Sequence, residues 1–302
     1  MNVDVVIVTY NRLEKLKKTI SYYDNLTLFP RNIVIVNNNS TDGTKDFLEK
    51  WGKESSNYKK HIIHLNENIG GSGGFYEGQK YALGLNPDWI MLADDDAYPE
   101  ADSFALFVKF VSTHNTDDVS AICSSVLNPD GTIDVNHRTT YRLIKGLFYE
   151  RRSSSIEDYK KDFFEIDYLS YVGCFIKTIV LRTAGLVIPD YFIYSDDAEH
   201  SIRLKKQGKI ICVPQIKIVH DYQKIDILNE ISWKDYYFYR NEIDMLKRHH
   251  PFAAIAWSRR QYKLLKNNPK RLKVYKIALK DAWRGKLGIH ELYKPGWTSE
   301  KP

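Results

Sequence analysis

The chain has 302 residues, 27% of them charged, and a net charge of +6, enough length to bury a substantial core and nothing in its composition that reads as disordered. Cys123, Cys174 and Cys212 lie far apart without CxxC spacing, which argues against a disulfide framework and a structural zinc site and points to a reducing, cytoplasmic setting. No segment reaches the roughly 18 apolar residues of a spanning helix, and "MNVDVVIVTYNR" lacks a basic n-region, so a soluble or surface-bound protein is expected.

Taken in chain order, "VDVVIVTY" (3–10) predicts a buried strand, and "RNIVIVNNNSTDGT" repeats the form: a strand to Val36, a polar turn, and Asp42 as N-cap of a helix through Trp51. "HIIHL" (61–65) and "DWIMLA" (88–93) predict two more strands, with a helix over 75–85 between them. Strands alternating with helices of this length imply βαβ units and a mostly parallel sheet. The turns at 9–12, 37–42, 66–74 and 94–96 each follow a predicted strand, so they are expected to meet in one crevice at the carboxyl edge of the sheet.

After a strand at 119–124, residues 136–162 lose periodicity and include "RRSSSIEDYKKD", which predicts a mobile loop or insertion. "DYLSYVGCFIKTIVLRTAGL" resumes ordered structure, "YSDDAEHSIRLKKQGK" predicts a capped helix closed by Gly208, and "IICVPQIKIVHD" predicts strands. The pattern is helical from Trp233 onward, which divides the chain into a first domain over 1–232 and a basic helical region over 233–302. Residues 234–302 carry a net +11 and the rest −5.

Four constellations carry chemistry. Asp94, Asp95 and Asp96 repel one another, and a divalent cation with hard oxygen ligands, Mg2+ or Mn2+, would relieve that repulsion; a plain turn and N-cap ahead of a helix near Pro99 and Glu100 is the alternative. "NIGGSGGF" offers backbone that can approach a ligand closely, ahead of a helix N-terminus that favours anions, although it is neither GxGxxG nor a P-loop. Asp196 and Asp197 open a helix, where they either cap it or accept a proton from an attacking hydroxyl. His220, after a strand, is either a packing residue or the imidazole that completes a cation site.

The ordered set "VIVTYNR", "VIVNNNSTDGT", "NIGGSGGF", "DDD", "DDAEHSIRLKKQG" and "VH" resembles the inverting family 2 glycosyltransferases with a GT-A fold, closest to the galactofuranosyltransferase and rhamnosyltransferase branch of bacterial cell-surface glycan synthesis. The likeness covers about 3–220, with a looser echo in "YYFYRNEI". It implies an α/β architecture, a Rossmann-like mostly parallel sheet flanked by helices, with a C-terminal helical region. By the same resemblance Asp94, Asp96 and His220 hold Mn2+ or Mg2+, Asp197 is the general base, and Asp196 and Glu199 face the acceptor. Thr9, Arg12, Asn37, Gly70, Gly71, Asp94 and Asp95 are assigned to the nucleotide-sugar donor. Asn37 stands where the family usually has aspartate, which predicts weaker or less selective contact with the base.

The implied donor is UDP-galactofuranose, with dTDP-rhamnose as the alternative, and the implied acceptor is a lipid-linked saccharide or glycan. Two readings from other classes compete: a nucleic-acid-binding protein with a basic tail, which leaves the carboxylates unexplained and is set aside, and a GT-A domain that binds a sugar nucleotide without catalysis. In the tail, Tyr275, Ala278, Leu279, Ala282 and Trp283 share one helical face flanked by Lys273, Lys276, Lys280 and Arg284. That helix either lies on an anionic membrane, giving a peripheral protein at the inner face of the cell membrane, or packs its apolar face on the body. Arg240, among aromatics, either reaches a phosphate or is buried.

Overall fold

The computed structural model describes residues 1–222 and 231–297. Strands β1 (Val3–Thr9), β2 (Asn32–Asn37), β3 (Lys59–His64) and β4 (Trp89–Asp94) alternate with helices α1 (Leu13–Asp24), α2 (Thr44–Trp51) and α3 (Gly70–Gly84). Next come β5 (Ala97–Pro99), α4 (Ser103–Thr113), β6 (Val119–Leu127), β7 (Thr139–Ile144), β8 (Phe148–Ser153), β9 (Phe164–Ile166) and β10 (Cys174–Lys177). The chain continues through α5 (Thr178–Ala184), α6 (Asp196–Lys205) and β11 (Lys209–His220) to three final helices, α7 (Trp233–His249), α8 (Pro251–Leu264) and α9 (Pro269–Arg284).

Nine strands form the central sheet in the order β3-β2-β1-β4-β10-β6-β11-β5, with β9 paired to β11. β3, β2, β1 and β4 are mutually parallel, and β10 runs antiparallel to both β4 and β6. β6, and β11 parallel to it, therefore share the sense of β1, and the sheet is mostly parallel and flanked by helices. Alternation along each strand builds two core layers. Val5, Ile7, Ile33 and Ile35 pack with Leu16, Ile20, Leu48 and Phe107 on one face, while Val6, Val8, Val34 and Val36 pack with Phe75, Ala82 and Leu204 on the other.

The glycine segment is not a loop ahead of a helix at 75. It is the first turns of α3, which starts at Gly70. A Cβ at Gly74 would lie 2.5 Å from Val8 and one at Gly78 would lie 2.3 Å from Val6, so these glycines let the helix lie flush on β1. That close packing offsets a helix cost of about 1 kcal/mol per glycine. The N-cap of α2 is Gly43, with φ 88°, rather than Asp42 as expected; the Asp42 carboxylate one residue earlier accepts from Thr44 N at 3.2 Å and from Leu13 N at 2.9 Å, tying the starts of α2 and α1 together.

Residues 136–162 form regular structure rather than a mobile loop, which leaves the insertion alternative. They hold the β7–β8 hairpin, turned at Lys145 and Gly146 with φ of 53° and 68°, followed by a short 3-10 helix capped by Ser155. Lysine at a left-handed turn position gives none of the Asn-Gly signal that marks such hairpins. The run after Gly208 is one strand, β11, with an irregular register between Val213 and Lys217.

In the C-terminal region the face of α9 that holds Tyr275, Ala278 and Ala282 packs against Tyr236, Tyr237 and Tyr239 of α7. The amphipathic pattern of α9 is thus explained by packing, and only Trp283, 43% exposed, is left outside. Arg240 is fully buried and donates to the carbonyls of Asp190, Tyr191 and Gly288, so it is a structural clamp rather than a phosphate ligand. The three cysteines are free and buried.

Candidate active site

The carboxyl ends of β1 and β4 lie side by side, with Val8 in register with Asp94. Thr9 Oγ1 donates to Asp95 Oδ2 at 2.7 Å, and Arg12 spans the turn beyond, donating from Nη1 to Asp95 Oδ1 at 2.8 Å and from Nη2 to Asp96 Oδ2 at 2.6 Å. β5 pairs with the end of β11, Ala97 against His220, which carries the imidazole to the same place. The ligand-capable atoms of Asp94, Asp96 and His220 all fall within 4.8 Å of one another. Asp96 Oδ1 is buried, accepts no hydrogen bond, and lies 3.3 Å from His220 Nε2.

The carboxylates crowd one another in a buried setting. Burial, followed by repulsion from Asp96, pushes Asp94 up to about 6, and burial pushes Asp95 up to about 7 against the pull of Arg12. Asp96 is also penalised by burial, yet His220 and Arg12 hold it below the usual carboxylate range. Two hard oxygen ligands, one imidazole and an orphaned lone pair fit Mg2+ or Mn2+, whose charge would lower both raised carboxyls. Behind His220, His137 Nε2 stands 3.3 Å from its Nδ1, and burial drives His137 down to about 3, which keeps it neutral.

Two cavities meet at Asp94. One, about 460 Å³, is lined by Thr9, Arg12, Asn38, Gly70, Gly71, Asp95 and, from α7, Trp233 and Lys234. Gly70 has φ +77°, and a Cβ on it would come within 2.1 Å of Phe192 O, whereas a Cβ on Gly71 would meet nothing within 4 Å. Only glycine fits the first position; the second faces open space.

The other cavity, about 480 Å³, shares Gly71, Phe75, Asp94 and Ile193 with the first and adds Asp196, Asp197, Glu242, Arg151 and His137. Asp197 Oδ1 accepts from Ala198 N at 2.7 Å; burial pushes its carboxyl up, and Arg151 opposes. Burial, then Asp197, raises Asp196 to about 7, while Glu242 is raised by burial and accepts from Ser195 Oγ at 3.2 Å.

The loop that delivers Asp196 and Asp197 is backbone-strained. Phe192, Tyr194 and Ser195 all have left-handed φ, at 67°, 68° and 59°, each costing on the order of 1 kcal/mol. Asn241, fully buried on α7, holds that shape by donating from Nδ2 to the carbonyls of Tyr191, Ile193 and Tyr194 at 2.9, 2.8 and 2.9 Å. Arg240 adds bonds to Asp190 O and Tyr191 O, both at 3.0 Å.

Asp94, Asp96, His220, Asp196 and Asp197 are therefore brought together as expected, and Thr9, Gly70 and Gly71 line the first cavity. Arg12 and Asp95 also line it but are bound to each other. Two expectations are corrected by geometry. Asn37 is not among the lining residues: its Oδ1 accepts from Ser40 N at 2.9 Å and its Nδ2 meets His64 Nδ1 at 3.1 Å, and the neighbouring Asn38 faces the cavity instead. Glu199, 2% exposed, does not face the second cavity but accepts from Arg203 Nε and pairs with His249 Nε2 at 3.0 Å, locking α6 to α7. Arg151, Glu242, His137, Trp233 and Lys234 escaped sequence reasoning. Only Glu242 had a signal, within "YYFYRNEI".

The profile of the family "Glycosyl transferase family 2" matches residues 4–181, and the chain belongs to that family. Among characterised relatives, galactofuranosyltransferase GlfT1 of Mycobacterium tuberculosis is 25% identical over 209 residues, 68% of this chain. The match spans 66% of that relative's length, just under two thirds. Two solved structures share the fold: GalNAc-T7 with UDP, GalNAc and Mn2+ (TM-score 0.65, 16% identity, 94% of this chain and 56% of that one) and S. aureus TarS 1-349 with UDP-GlcNAc (TM-score 0.62, 15% identity, 93% and 80%).

Proposed function

We propose that the chain is a metal-dependent inverting glycosyltransferase that moves galactofuranose from UDP-galactofuranose to a hydroxyl of a lipid-linked saccharide or glycan acceptor. The observation that carries this reading is the convergence of Asp94, Asp96 and His220, of which Asp94 lines both cavities and His220 the second, where Asp197 also stands. The first cavity takes the nucleotide: Thr9, Arg12, Asn38, Gly70 and Gly71 surround it, and Trp233 and Lys234 close it from α7. A divalent cation held by Asp94, Asp96 and His220 would supply charge neutralisation for the donor diphosphate.

Asp197 takes the proton of the acceptor hydroxyl, whose oxygen forms a bond to the anomeric carbon as the bond to the diphosphate breaks and its electron pair leaves with the nucleotide. A single displacement of this kind inverts the anomeric centre. Burial raises Asp197 and so makes it a stronger base than a free carboxylate. Asp196, Glu242 and Arg151 offer the remaining polar contacts for an acceptor. The galactofuranosyl choice rests on the branch of the motif set and on the likeness to the 25% identical galactofuranosyltransferase GlfT1.

The test is turnover of UDP-galactofuranose, UDP-galactopyranose, dTDP-rhamnose and GDP-mannose with Mn2+, with the anomeric configuration of the product read by NMR. Transfer from UDP-galactofuranose alone, with inversion, is expected. Turnover of dTDP-rhamnose alone would move the donor, and nucleotide binding without turnover of any donor would leave a non-catalytic sugar-nucleotide-binding domain. No helix among the described residues is long and apolar enough to cross a membrane. A peripheral seat on the membrane belongs to the same proposal, and α9 is not the face for it.

A further inference from the structure

A further cavity lies away from the carboxylates. It is an open groove of about 780 Å³ between the tip of the β7–β8 hairpin and the outer face of α8, with Leu147, Phe148, Phe252, Ile255 and Leu264 as its apolar lining. These side chains are not buried: Phe252 is 68% exposed, Leu264 64% and Phe148 58%, and Ile144 extends the patch at the hairpin tip. A continuous exposed apolar surface of this kind marks an interaction site.

Charge narrows the occupant. Arg259, Arg260 and Lys263 line the same groove, and among the described residues none of the three makes an ion pair. From Met245 to Lys280 there are 11 Lys and Arg and no Asp or Glu, so nothing in that stretch neutralises them. Protruding aromatic and aliphatic side chains beside unpaired cations match the interface of an anionic bilayer, where the apolar groups enter the acyl boundary and the cations meet phosphates.

We infer that the hairpin tip and α8 form a membrane-docking face for an anionic phospholipid surface. The location of this face adds a second consequence, which rests on the transferase reading. β8 places Phe148 and Tyr149 on the groove and Arg151, two residues on from Tyr149, in the cavity with Asp197. A bilayer seated on the groove thus lies beside the acceptor cavity, and a lipid-linked saccharide can reach Asp197 without leaving the leaflet.

The test is cosedimentation of the full chain with phosphatidylcholine vesicles with and without phosphatidylglycerol, at low and high salt. Binding only to phosphatidylglycerol vesicles, weakened by salt, is expected. Phe252→Ser with Leu264→Ser should abolish it, and Arg259→Gln, Arg260→Gln and Lys263→Gln together should weaken it on the order of a hundredfold, about fivefold per charge. Lys273→Gln, Lys276→Gln and Lys280→Gln on α9 serve as the comparison and should lose less. Stabilisation by UDP with Mn2+, measured on every variant, reports the donor site separately, so failure here and failure of the transferase reading are distinguishable.

Should the serine variant not fold, Phe252→Trp replaces it: its emission should shift to the blue on adding phosphatidylglycerol vesicles. The inference is overturned if the wild-type chain ignores these vesicles, or if the groove variants bind unchanged while the α9 variant does not. It is equally overturned if the patch instead supports self-association that the serine variant removes, or takes a polyprenyl phosphate from detergent while vesicles are ignored.

Discussion

The two cavities that meet at Asp94 are built in different ways. The proposed donor side is assembled from the ends of adjacent parallel strands: Thr9 follows from β1 and Asp94 from β4, and the sheet register sets both. The proposed acceptor side is assembled across sequence, with Arg151 from a hairpin, Asp197 from the first turn of α6 behind a strained loop, and Glu242 from a helix that also holds the loop in place. Sites made from strand ends inherit the rigidity of the sheet, whereas sites made from loops need a buried polar clamp to reach the same definition.

The largest expected effect separates chemistry from binding. Asp197→Asn should lower turnover by on the order of a thousandfold, the usual worth of a general base, while UDP with Mn2+ binds as before. Near-normal turnover of this variant would remove Asp197 from its role. Because burial raises the Asp197 carboxyl, its proton is lost at higher pH than that of a free aspartate, and wild-type turnover should rise with pH through that titration. A flat profile over that range would mean that this proton does not matter.

Next in size is the clamp. Asn241→Ala removes the donor that serves three loop carbonyls and should cost about 3 kcal/mol of stability by thermal or denaturant unfolding. Turnover should fall more than the apparent affinity for donor, since the loop presents Asp197 and the donor side stands on the sheet. Equal losses in both would make the two halves one unit.

The donor side has its own contrast in two adjacent glycines. Gly70→Ala forces a Cβ into Phe192 O from a left-handed backbone and should destabilise by about 2 kcal/mol. Gly71→Ala meets nothing and should leave stability unchanged while narrowing the space for donor, seen as weaker UDP binding. The reverse order of stabilities would contradict the packing described for α3. Smallest of all, Asn37→Asp should change UDP affinity less than about threefold, because the side chain faces Ser40 and His64 rather than the cavity. A large gain would place residue 37 on the base after all.

Legibility in the sequence follows the same division. Apolar runs such as "VDVVIVT" and "NIVIVN" are readable because both faces of β1 and β2 are buried, and once the strands stand, the positions of Thr9 and Asp94 follow from topology. α3 was misjudged at its start because the reason for its glycines is the proximity of Val6 and Val8, residues more than 60 positions away. The hairpin was hidden by a polar composition and a lysine in its turn. The left-handed run at Phe192, Tyr194 and Ser195 leaves no local trace, because it is imposed by Asn241, about 50 residues later. Glu199 was assigned to an acceptor by its place in the motif, and only the tertiary pairing with Arg203 and His249 shows that it is spent on structure.

Thermal unfolding of the wild-type chain with UDP, dTDP and GDP, each with Mn2+ and with a chelator, tests the central claim most directly. At about one hundred times its dissociation constant a specific nucleotide adds about 2.7 kcal/mol. The account predicts stabilisation by UDP that needs Mn2+ and disappears with the chelator. Stabilisation that is indifferent to metal, or none from any nucleotide, would leave Asp94, Asp96 and His220 as a structural cluster and contradict the transferase site built on them.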